Sequence, residues 1–120
     1  MANQIASDLP DGWTNIVFGM LRTKQEGEEY LVYYSPDEGR NWYDLLKEKF
    51  EADADMDGLE DAMDTAREIF DLCSEEGDSW STMTFRMDNC GKFHAGFGYE
   101  MFSHINDAIR QSWRKKELHG

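Results

Sequence analysis

Two runs of alternating side chains between residues 81 and 101 constrain the fold of this chain more than any other feature. The first run places Ser81, Met83, Phe85 and Met87 on one side, and the second places Phe93, Ala95, Phe97, Tyr99 and Met101 on one side. A period of two is typical of a β-strand with one buried face. The segment between the runs, Asp88-Asn89-Cys90-Gly91, has the composition of a tight turn. The sequence therefore predicts an antiparallel hairpin here.

A second pair of strands is predicted near the N-terminus. Residues 13–23 are rich in Ile, Val, Phe, Met and Leu, and the run Tyr30–Tyr34 follows the polar segment Lys24–Gly27. Before this pair, Met1–Leu9 has the length of one or two helical turns and stops at the turn tripeptide Pro10–Gly12. The N-terminal part is therefore predicted to be a short helix followed by an antiparallel hairpin.

Three further segments carry apolar residues at the three- and four-residue spacing of a helix. They are residues 41–50, with Trp42, Leu45, Leu46 and Phe50; residues 58–73, with Leu59, Ala62, Met63, Ala66, Ile69, Phe70 and Cys73; and residues 102–113, with Phe102, Ile105, Ile109 and Trp113. Asp57 with Glu60 resembles a capping box at the start of the second helix, and Ser103 is the candidate N-cap of the third. Each helix is expected to bury its stripe of apolar residues in the core.

Strands that follow one another in pairs, instead of alternating with helices, favour an antiparallel sheet. The predicted fold class is α+β: an antiparallel sheet of four or slightly more strands, made from the two hairpins, with the helices packed on one face. A chain of 120 residues suits one domain, residues 1–120, with a single core. Trp80, Phe97 and Trp113 are expected in that core or between helix and sheet.

The net charge restricts the partners that this chain can bind. It has 25 acidic residues against 12 basic ones, a formal charge of −13, which repels DNA, RNA and anionic lipid. We therefore expect a cationic protein partner, with no nucleic acid and no membrane. The sequence shows neither a targeting segment nor an apolar run of the roughly 18 residues that span a bilayer. A cytoplasmic protein is expected, with Cys73 and Cys90 as free thiols.

The acidic residues are concentrated in the middle of the chain. The segment Glu48–Asp78 contains 13 acidic residues and two basic ones, Lys49 and Arg67. If the apolar stripe of the predicted helix faces inward, most of the carboxylates face outward together. Such a surface either docks a basic partner or is a solvated helix face that aids solubility, and charge alone does not separate the two. The residues predicted to contact a partner are Asp53, Asp55, Asp57, Glu60, Asp61, Asp64, Glu68 and Asp71.

The same segment contains a pattern similar to a calcium-binding loop. Places 1, 3, 5, 6, 9 and 12 of an EF-hand loop correspond here to Asp53, Asp55, Asp57, Gly58, Asp61 and Asp64. Two features oppose calcium: place 12 is Asp instead of Glu, and place 8, normally aliphatic, is Glu60. The other interpretation is an acidic connection in which Asp57 caps the following helix. A calcium-binding module at residues 53–64 is the second functional hypothesis.

Candidate catalytic groups are scattered along the sequence. The histidines are His94, His104 and His119, and they lack the spacing of a metal-binding motif such as HExxH. No nucleophile-elbow pattern surrounds a serine or cysteine. Gly91-Lys92 is too short for a phosphate-binding loop. We therefore predict that the chain is not an enzyme and that it uses no metal and no cofactor.

A set of motifs in the C-terminal half carries a resemblance to a known family. They are Trp80-Ser81-Thr82-Met83-Thr84-Phe85, then Gly91-Lys92-Phe93, then Phe97-Gly98-Tyr99-Glu100, and finally Arg110 and Trp113. These motifs resemble the YezG-like immunity (antitoxin) family of bacteria, and Ile5-Ala6 and Pro10-Asp11-Gly12-Trp13 are similar to its opening, with a shorter N-terminal helix. The resemblance covers most of the chain and is weakest in the acidic middle.

The resemblance implies a small cytosolic protein that binds and neutralises a cognate toxin domain. In such systems the toxin is often a nuclease, delivered by a contact-dependent or secretion system. A nuclease is basic where it grips phosphates, so an acidic inhibitor can compete for that surface. The first functional hypothesis is therefore an immunity protein that occludes its toxin sterically and electrostatically. The acidic middle of the chain is expected to determine partner choice.

Overall fold

The structure, a computed structural model, describes residues 2–23 and 27–118. In chain order its elements are α1 (Ala2–Ala6), β1 (Asn15–Arg22), β2 (Glu28–Ser35), β3 (Tyr43–Asp44), α2 (Leu45–Glu51), α3 (Asp57–Glu75), β4 (Thr82–Asp88), β5 (Phe93–Gly98) and α4 (Asp107–Glu117). Within the described residues the five strands form one antiparallel sheet, in the order β3-β2-β1-β4-β5. The predicted fold class, α+β with an antiparallel sheet of four or slightly more strands, is confirmed.

The two predicted hairpins are β1–β2 and β4–β5, and they join through β1. Phe18 of β1 lies opposite Val32 of β2 on one side and opposite Phe85 of β4 on the other. The central position of β1 explains its continuous apolar run, since a strand covered on both faces needs no polar side. Most of the turn predicted between β1 and β2, residues 24–26, lies outside the described residues.

Helices cover both faces of the sheet, so the expectation that they pack on one face is wrong. On the first face α1, α2 and α3 pack on the sheet through the buried residues Ile5, Ile16, Phe18, Met20, Val32, Tyr34, Leu45, Leu59, Ala62, Ala66, Trp80, Met83, Phe85 and Met87. On the second face Trp113 of α4 packs against Val17, Leu21, Leu31 and Tyr33. The apolar stripe of α4 packs on the face of β1 opposite to α1, α2 and α3. The molecule therefore has three layers, with the sheet between two layers of helix.

Gly19 explains how closely α4 approaches the second face. A Cβ atom at Gly19 would lie 2.4 Å from Cζ2 of Trp113. The Nε1–H of Trp113 donates to Oγ1 of Thr84 at 3.3 Å. The indole ring therefore lies directly on the backbone of β1, in space that any other residue at position 19 would fill.

Two of the predicted helix boundaries are corrected by the structure. The segment predicted as a helix over residues 41–50 contains β3 first, and α2 begins only at Leu45, where Asp44 accepts a hydrogen bond from the N–H of Lys47. The third helix begins at Asp107 and its N-cap is Asn106, whose side chain accepts from the N–H of Ile109 at 2.9 Å. Ser103, the predicted N-cap, precedes the helix by several residues, because Phe102 still bridges to Thr23.

Strand β5 is exposed on the side that the alternation predicted to be buried. Phe93 and Phe97 are 69% and 45% exposed, whereas Trp80 and Trp113 are buried as expected. The expectation that Phe97 lies in the core or between helix and sheet is therefore wrong. Since β5 is the last strand of the sheet, the apolar side of its alternation extends past the helices that cover the neighbouring strands.

Two simpler expectations concern the cysteines and the membrane. Cys73 and Cys90 are free thiols, as predicted. No helix within residues 2–23 and 27–118 combines the length and the apolar character that crossing a bilayer requires.

Candidate functional site: the acidic surface of α3

The 19-residue helix α3 separates apolar from acidic residues around its axis. Leu59, Ala62 and Ala66 are fully buried against the sheet. The acidic residues Glu60, Asp61, Asp64, Glu68 and Asp71 follow one another at spacings of one, three and four residues on the opposite side. Burial of the apolar stripe thus directs these carboxylates to solvent.

All eight residues predicted to contact a partner are exposed. Three of them, Asp53, Asp55 and Asp57, lie in the connection from α2 and at the first residue of α3. The other five lie along the outer side of α3. The set forms what we call the acidic surface: Asp53, Asp55, Asp57, Glu60, Asp61, Asp64, Glu68 and Asp71.

The connection between α2 and α3 has a defined backbone geometry. Asp53 has a left-handed conformation, with φ of 49°, and the N–H of Ala54 donates to the carbonyl of Lys49 at 2.9 Å. This arrangement is a Schellman-type end of α2. The carboxylate of Asp55 then accepts from the N–H of Asp57 at 2.8 Å. The three aspartates at the start of the acidic surface are therefore held by backbone hydrogen bonds.

The first turn of α3 is capped from a distant part of the chain. The N-cap is Met56, which has no side-chain capping bond, so the predicted capping role of Asp57 is wrong. Instead, the N–H of Leu59 donates to the carboxylate of Asp8 at 2.7 Å. Asp8 supplies the negative group that the positive end of the helix dipole favours. Asp57 itself is exposed to solvent.

Few cations neutralise the acidic surface. Among the described residues, the ion pairs include only one member of the surface, Asp64, whose carboxylate contacts Nη1 of Arg67 at 2.5 Å. Arg67 also pairs with Glu28 of β2, and that hydrogen bond raises the pKa of the arginine above its usual value. The acidic surface therefore keeps most of its negative charge.

The crowding of carboxylates changes the protonation of Asp57. A side-chain hydrogen bond to Asp55, together with the negative charge of Asp55, raises the pKa of Asp57 above its ordinary value. Glu60 and Asp61 add to the same effect. Because like charges disfavour ionisation, this end of the surface binds a proton more readily than an isolated aspartate does. A cation placed here would have the opposite effect.

The EF-hand-like pattern does not form an EF-hand loop. The helix begins at Asp57, so the residues at places 5 to 12 of the pattern lie along α3 instead of around a loop. Gly58 has no positive φ and packs beneath α1, where an added Cβ would lie 2.1 Å from the carbonyl oxygen of Gln4. In the part of the chain that the structure describes, no three acidic, histidine or cysteine side chains are placed to hold a metal ion.

Two exposed apolar residues, which the sequence did not predict, lie near the acidic surface in the chain. Phe50, at the end of α2, is 83% exposed, although its helical spacing had placed it in a core stripe. Leu72 of α3 is 64% exposed and follows Glu68 by one helical turn. In the sequence, the only indication that Leu72 is exposed is its position outside the apolar stripe of α3. Protein interfaces commonly combine an apolar centre with a polar rim, so these two side chains could form such a centre beside the carboxylates.

The chain matches a model of a known protein family. The family model described as "Immunity protein YezG-like" matches residues 1–119. No curated protein matches the chain. The match includes both hairpins, α3 with its acidic surface, and α4.

Proposed function

Because the chain belongs to the YezG-like immunity protein family, we propose that it neutralises a cognate toxin domain by covering a basic surface of that toxin with its acidic surface. The observation that carries this proposal is the row of exposed carboxylates on α3. Their exposure costs self-repulsion in the free protein. A cationic partner relieves that repulsion, so binding gains from the same charges that disfavour the free state.

The toxin is proposed to be a nuclease. A nuclease must present lysine and arginine side chains to grip the phosphates of its substrate. An inhibitor with a row of carboxylates competes for those cations and excludes the substrate from the same place. The protein therefore acts stoichiometrically, by binding and not by catalysis, in the cytoplasm, where it would protect the cell from the toxin.

The acidic surface alone gives fast association more than tight binding. Charges on an exposed rim chiefly steer the encounter, whereas buried apolar or aromatic anchors supply most of the affinity. Phe50 and Leu72 are exposed near the acidic surface in the chain and serve as such anchors. The carboxylates therefore steer the toxin towards the acidic surface and select the partner, and these two side chains set the residence time of the complex.

The test is calorimetric titration of the toxin domain encoded by the neighbouring gene. The test variant carries Glu60→Lys, Glu68→Lys and Asp71→Lys, which reverse charge at exposed positions on α3. Each of these residues lies outside the described ion pairs, so the folded state should be retained. We expect its affinity for the toxin to fall by about a hundredfold or more at low salt.

A matched control separates the surface from the net charge. Asp11→Lys, Glu38→Lys and Glu100→Lys change the net charge by the same amount at exposed positions elsewhere. We expect this control to retain affinity within about threefold. Equal losses in both variants would show that no particular surface is used, and equal retention would show that the toxin binds elsewhere. If neither DNA nor RNA competes with the protein for the toxin, a nuclease whose phosphate-binding surface is covered is contradicted.

A further inference from the structure

The open edge of the sheet at β5 lacks the features that usually keep sheet edges apart. In a chain with 31% charged residues, the segment Phe93–Tyr99 contains no Asp, Glu, Lys or Arg, and it contains no Pro. Native edge strands usually carry such residues because an unprotected edge pairs with another strand. An uncharged, apolar edge in an otherwise highly charged protein therefore indicates an interface.

The backbone of β5 is oriented for pairing at three residues. The N–H of Asp88 donates to the carbonyl of Lys92, and β4 and β5 continue in the same register to Thr82 and Gly98. In an antiparallel pair, residues that bond to the neighbouring strand alternate with residues whose N–H and C=O point away. The even-numbered residues of β5 thus face β4, and Phe93, Ala95 and Phe97 direct their donors and acceptors to the open edge.

The side chains of the same three residues form a flat apolar shelf. The ring of Phe93 stacks on Phe85 with centroids 5.7 Å apart, and the ring of Phe97 lies 5.4 Å from that of Trp80. Both phenylalanines keep large exposed areas on their outer sides. Ala95 lies between them and is exposed. Their positions are set by packing on β4 and Trp80, so the shelf is present before any partner arrives.

The sequence of β5 is complementary to itself in the antiparallel direction. It runs Phe93-His94-Ala95-Gly96-Phe97, with Ala95 at the centre. If two copies pair about Ala95, each Phe93 lies opposite Phe97 of the other copy on the shelf side. On the other side each His94 ring lies opposite Gly96, where even an added Cβ would meet nothing within 4 Å. Each phenylalanine ring of the paired strands thus faces another phenylalanine, and each His94 ring faces open space.

We propose that β5 pairs antiparallel with β5 of a second copy of this chain, about a two-fold axis at Ala95. The pairing forms about six backbone hydrogen bonds, two for each of three directly opposed residue pairs. It also brings Lys92, before the strand, towards Glu100, after the strand, of the other copy. The two five-stranded sheets become one continuous sheet, while the acidic surface on α3 stays available to a toxin.

The dimer is expected to be weak. A single six-residue edge buries less than the roughly 800 Å² per partner of a standard interface. The net charge of −13 on each copy also opposes association at low salt. We expect a dissociation constant on the order of 10 µM that decreases as salt is added.

Sedimentation equilibrium of the full chain tests the proposal. Between about 1 and about 200 µM the average mass should rise from that of one chain towards that of two. Ala95→Glu places two carboxylates beside the axis and should weaken the dimer at least about tenfold. Ala108→Glu adds the same charge at an exposed position of α4 and should leave the dimer unchanged. A single-chain mass at every concentration would overturn the proposal.

A crosslink tests the register. In a Cys90→Ser background, Ala95→Cys places two thiols on directly opposed residues, with Cα atoms about 5.5 Å apart, which a disulfide spans. His94→Cys is the control, because each His94 lies opposite Gly96 and its counterpart is displaced along the strand. Oxidation should crosslink the first variant and not the second. Equal crosslinking of the two variants would contradict the register about Ala95. A protein that stays monomeric and whose toxin binding is lost in Ala95→Glu would contradict the dimer and assign β5 to the toxin.

Discussion

The carboxylate of Asp8 accepts a hydrogen bond from the backbone N–H of Leu59 at 2.7 Å. The two residues are 51 positions apart, and both are buried. This contact fixes the N-terminal segment to the first turn of α3. It also means that the orientation of the acidic surface depends on a residue that is not part of it.

Replacing Asp8 should loosen the first turn of α3. Asp8→Ala leaves the buried N–H of Leu59 without its acceptor and removes a negative charge from the positive end of the helix dipole. We expect the free energy of unfolding to fall by about 1–2 kcal/mol. Urea denaturation measures this change, with Asp11→Ala in the exposed turn as the control. Equal denaturation midpoints for the two variants would show that Asp8 does not cap α3.

Gly58→Ala tests the close contact between α1 and α3. Alanine favours a helix over glycine by about 1 kcal/mol, so helix propensity alone predicts stabilisation. The added Cβ would lie 2.1 Å from the carbonyl oxygen of Gln4, and displacing α1 should outweigh the propensity gain. We expect a net loss of about 1–3 kcal/mol in urea denaturation. Gly96→Ala, where the Cβ meets nothing within 4 Å, is the control and should be nearly neutral at low protein concentration.

The capping of α3 illustrates what the sequence could and could not predict. Periodicity in residues 58–73 identified the helix and its buried stripe, and the same periodicity placed the carboxylates on the outer side. The cap was assigned to Asp57 because it is adjacent in sequence. The actual acceptor, Asp8, comes from a segment whose position depends on tertiary packing, and local patterns carry no information about it.

The exposure of β5 also could not be predicted from local sequence patterns. Alternation in β5 correctly grouped Phe93 and Phe97 on one side. Whether that side is covered depends on strand order and on how far the helices extend, which alternation does not encode. The placement of α4 was wrong for a related reason, although the continuous apolar run in β1 was a signal that both faces of the sheet are covered.

Gly19→Ala should detach α4 from the second face of the sheet. The added Cβ would lie 2.4 Å from the indole ring of Trp113, so the ring and its hydrogen bond to Thr84 must move. We expect a loss of about 2 kcal/mol or more in stability and a red-shifted tryptophan emission. A double-mutant cycle with Trp113→Leu should show a coupling of about 1 kcal/mol or more, because the clash is absent once the ring is removed. Additive effects would contradict direct contact.

Tyr34 should make stability sensitive to alkaline pH. Its hydroxyl donates to the carboxylate of Glu48 at 2.6–2.7 Å, and burial together with that carboxylate raises the pKa of Tyr34 to about 12. The folded state holds the proton more tightly than the unfolded state, whose tyrosine pKa is about 10. The resulting stability is complete below about pH 10 and is lost as the pH rises towards 12.

Tyr34→Phe tests this relationship. It should cost about 1 kcal/mol near neutral pH because the hydrogen bond is lost. It should also make the fall in stability between about pH 10 and about pH 12 shallower. Part of the fall remains, since Tyr30 also has its pKa raised to about 12, mainly by burial. Denaturation midpoints across this pH range measure both effects, and an unchanged pH dependence would contradict the assignment to Tyr34.

Asp55→Asn should lower the pKa of Asp57 towards its ordinary value, near 3.8. The raised pKa of Asp57 means that ionisation is less favourable in the folded state, so the associated stability is present at low pH and is lost as the pH rises through that pKa. Removing the charge of Asp55 removes most of the cause. Carbon-detected NMR titration of the side-chain carboxylates gives the midpoint directly, and an unchanged midpoint would show that Asp55 is not responsible. The same protonation should affect the binding of a cationic toxin. If the toxin docks at this end of the acidic surface, its affinity falls as the pH is lowered through the midpoint of Asp57, because a protonated Asp57 no longer attracts it. In Asp55→Asn the loss of toxin affinity should occur at lower pH.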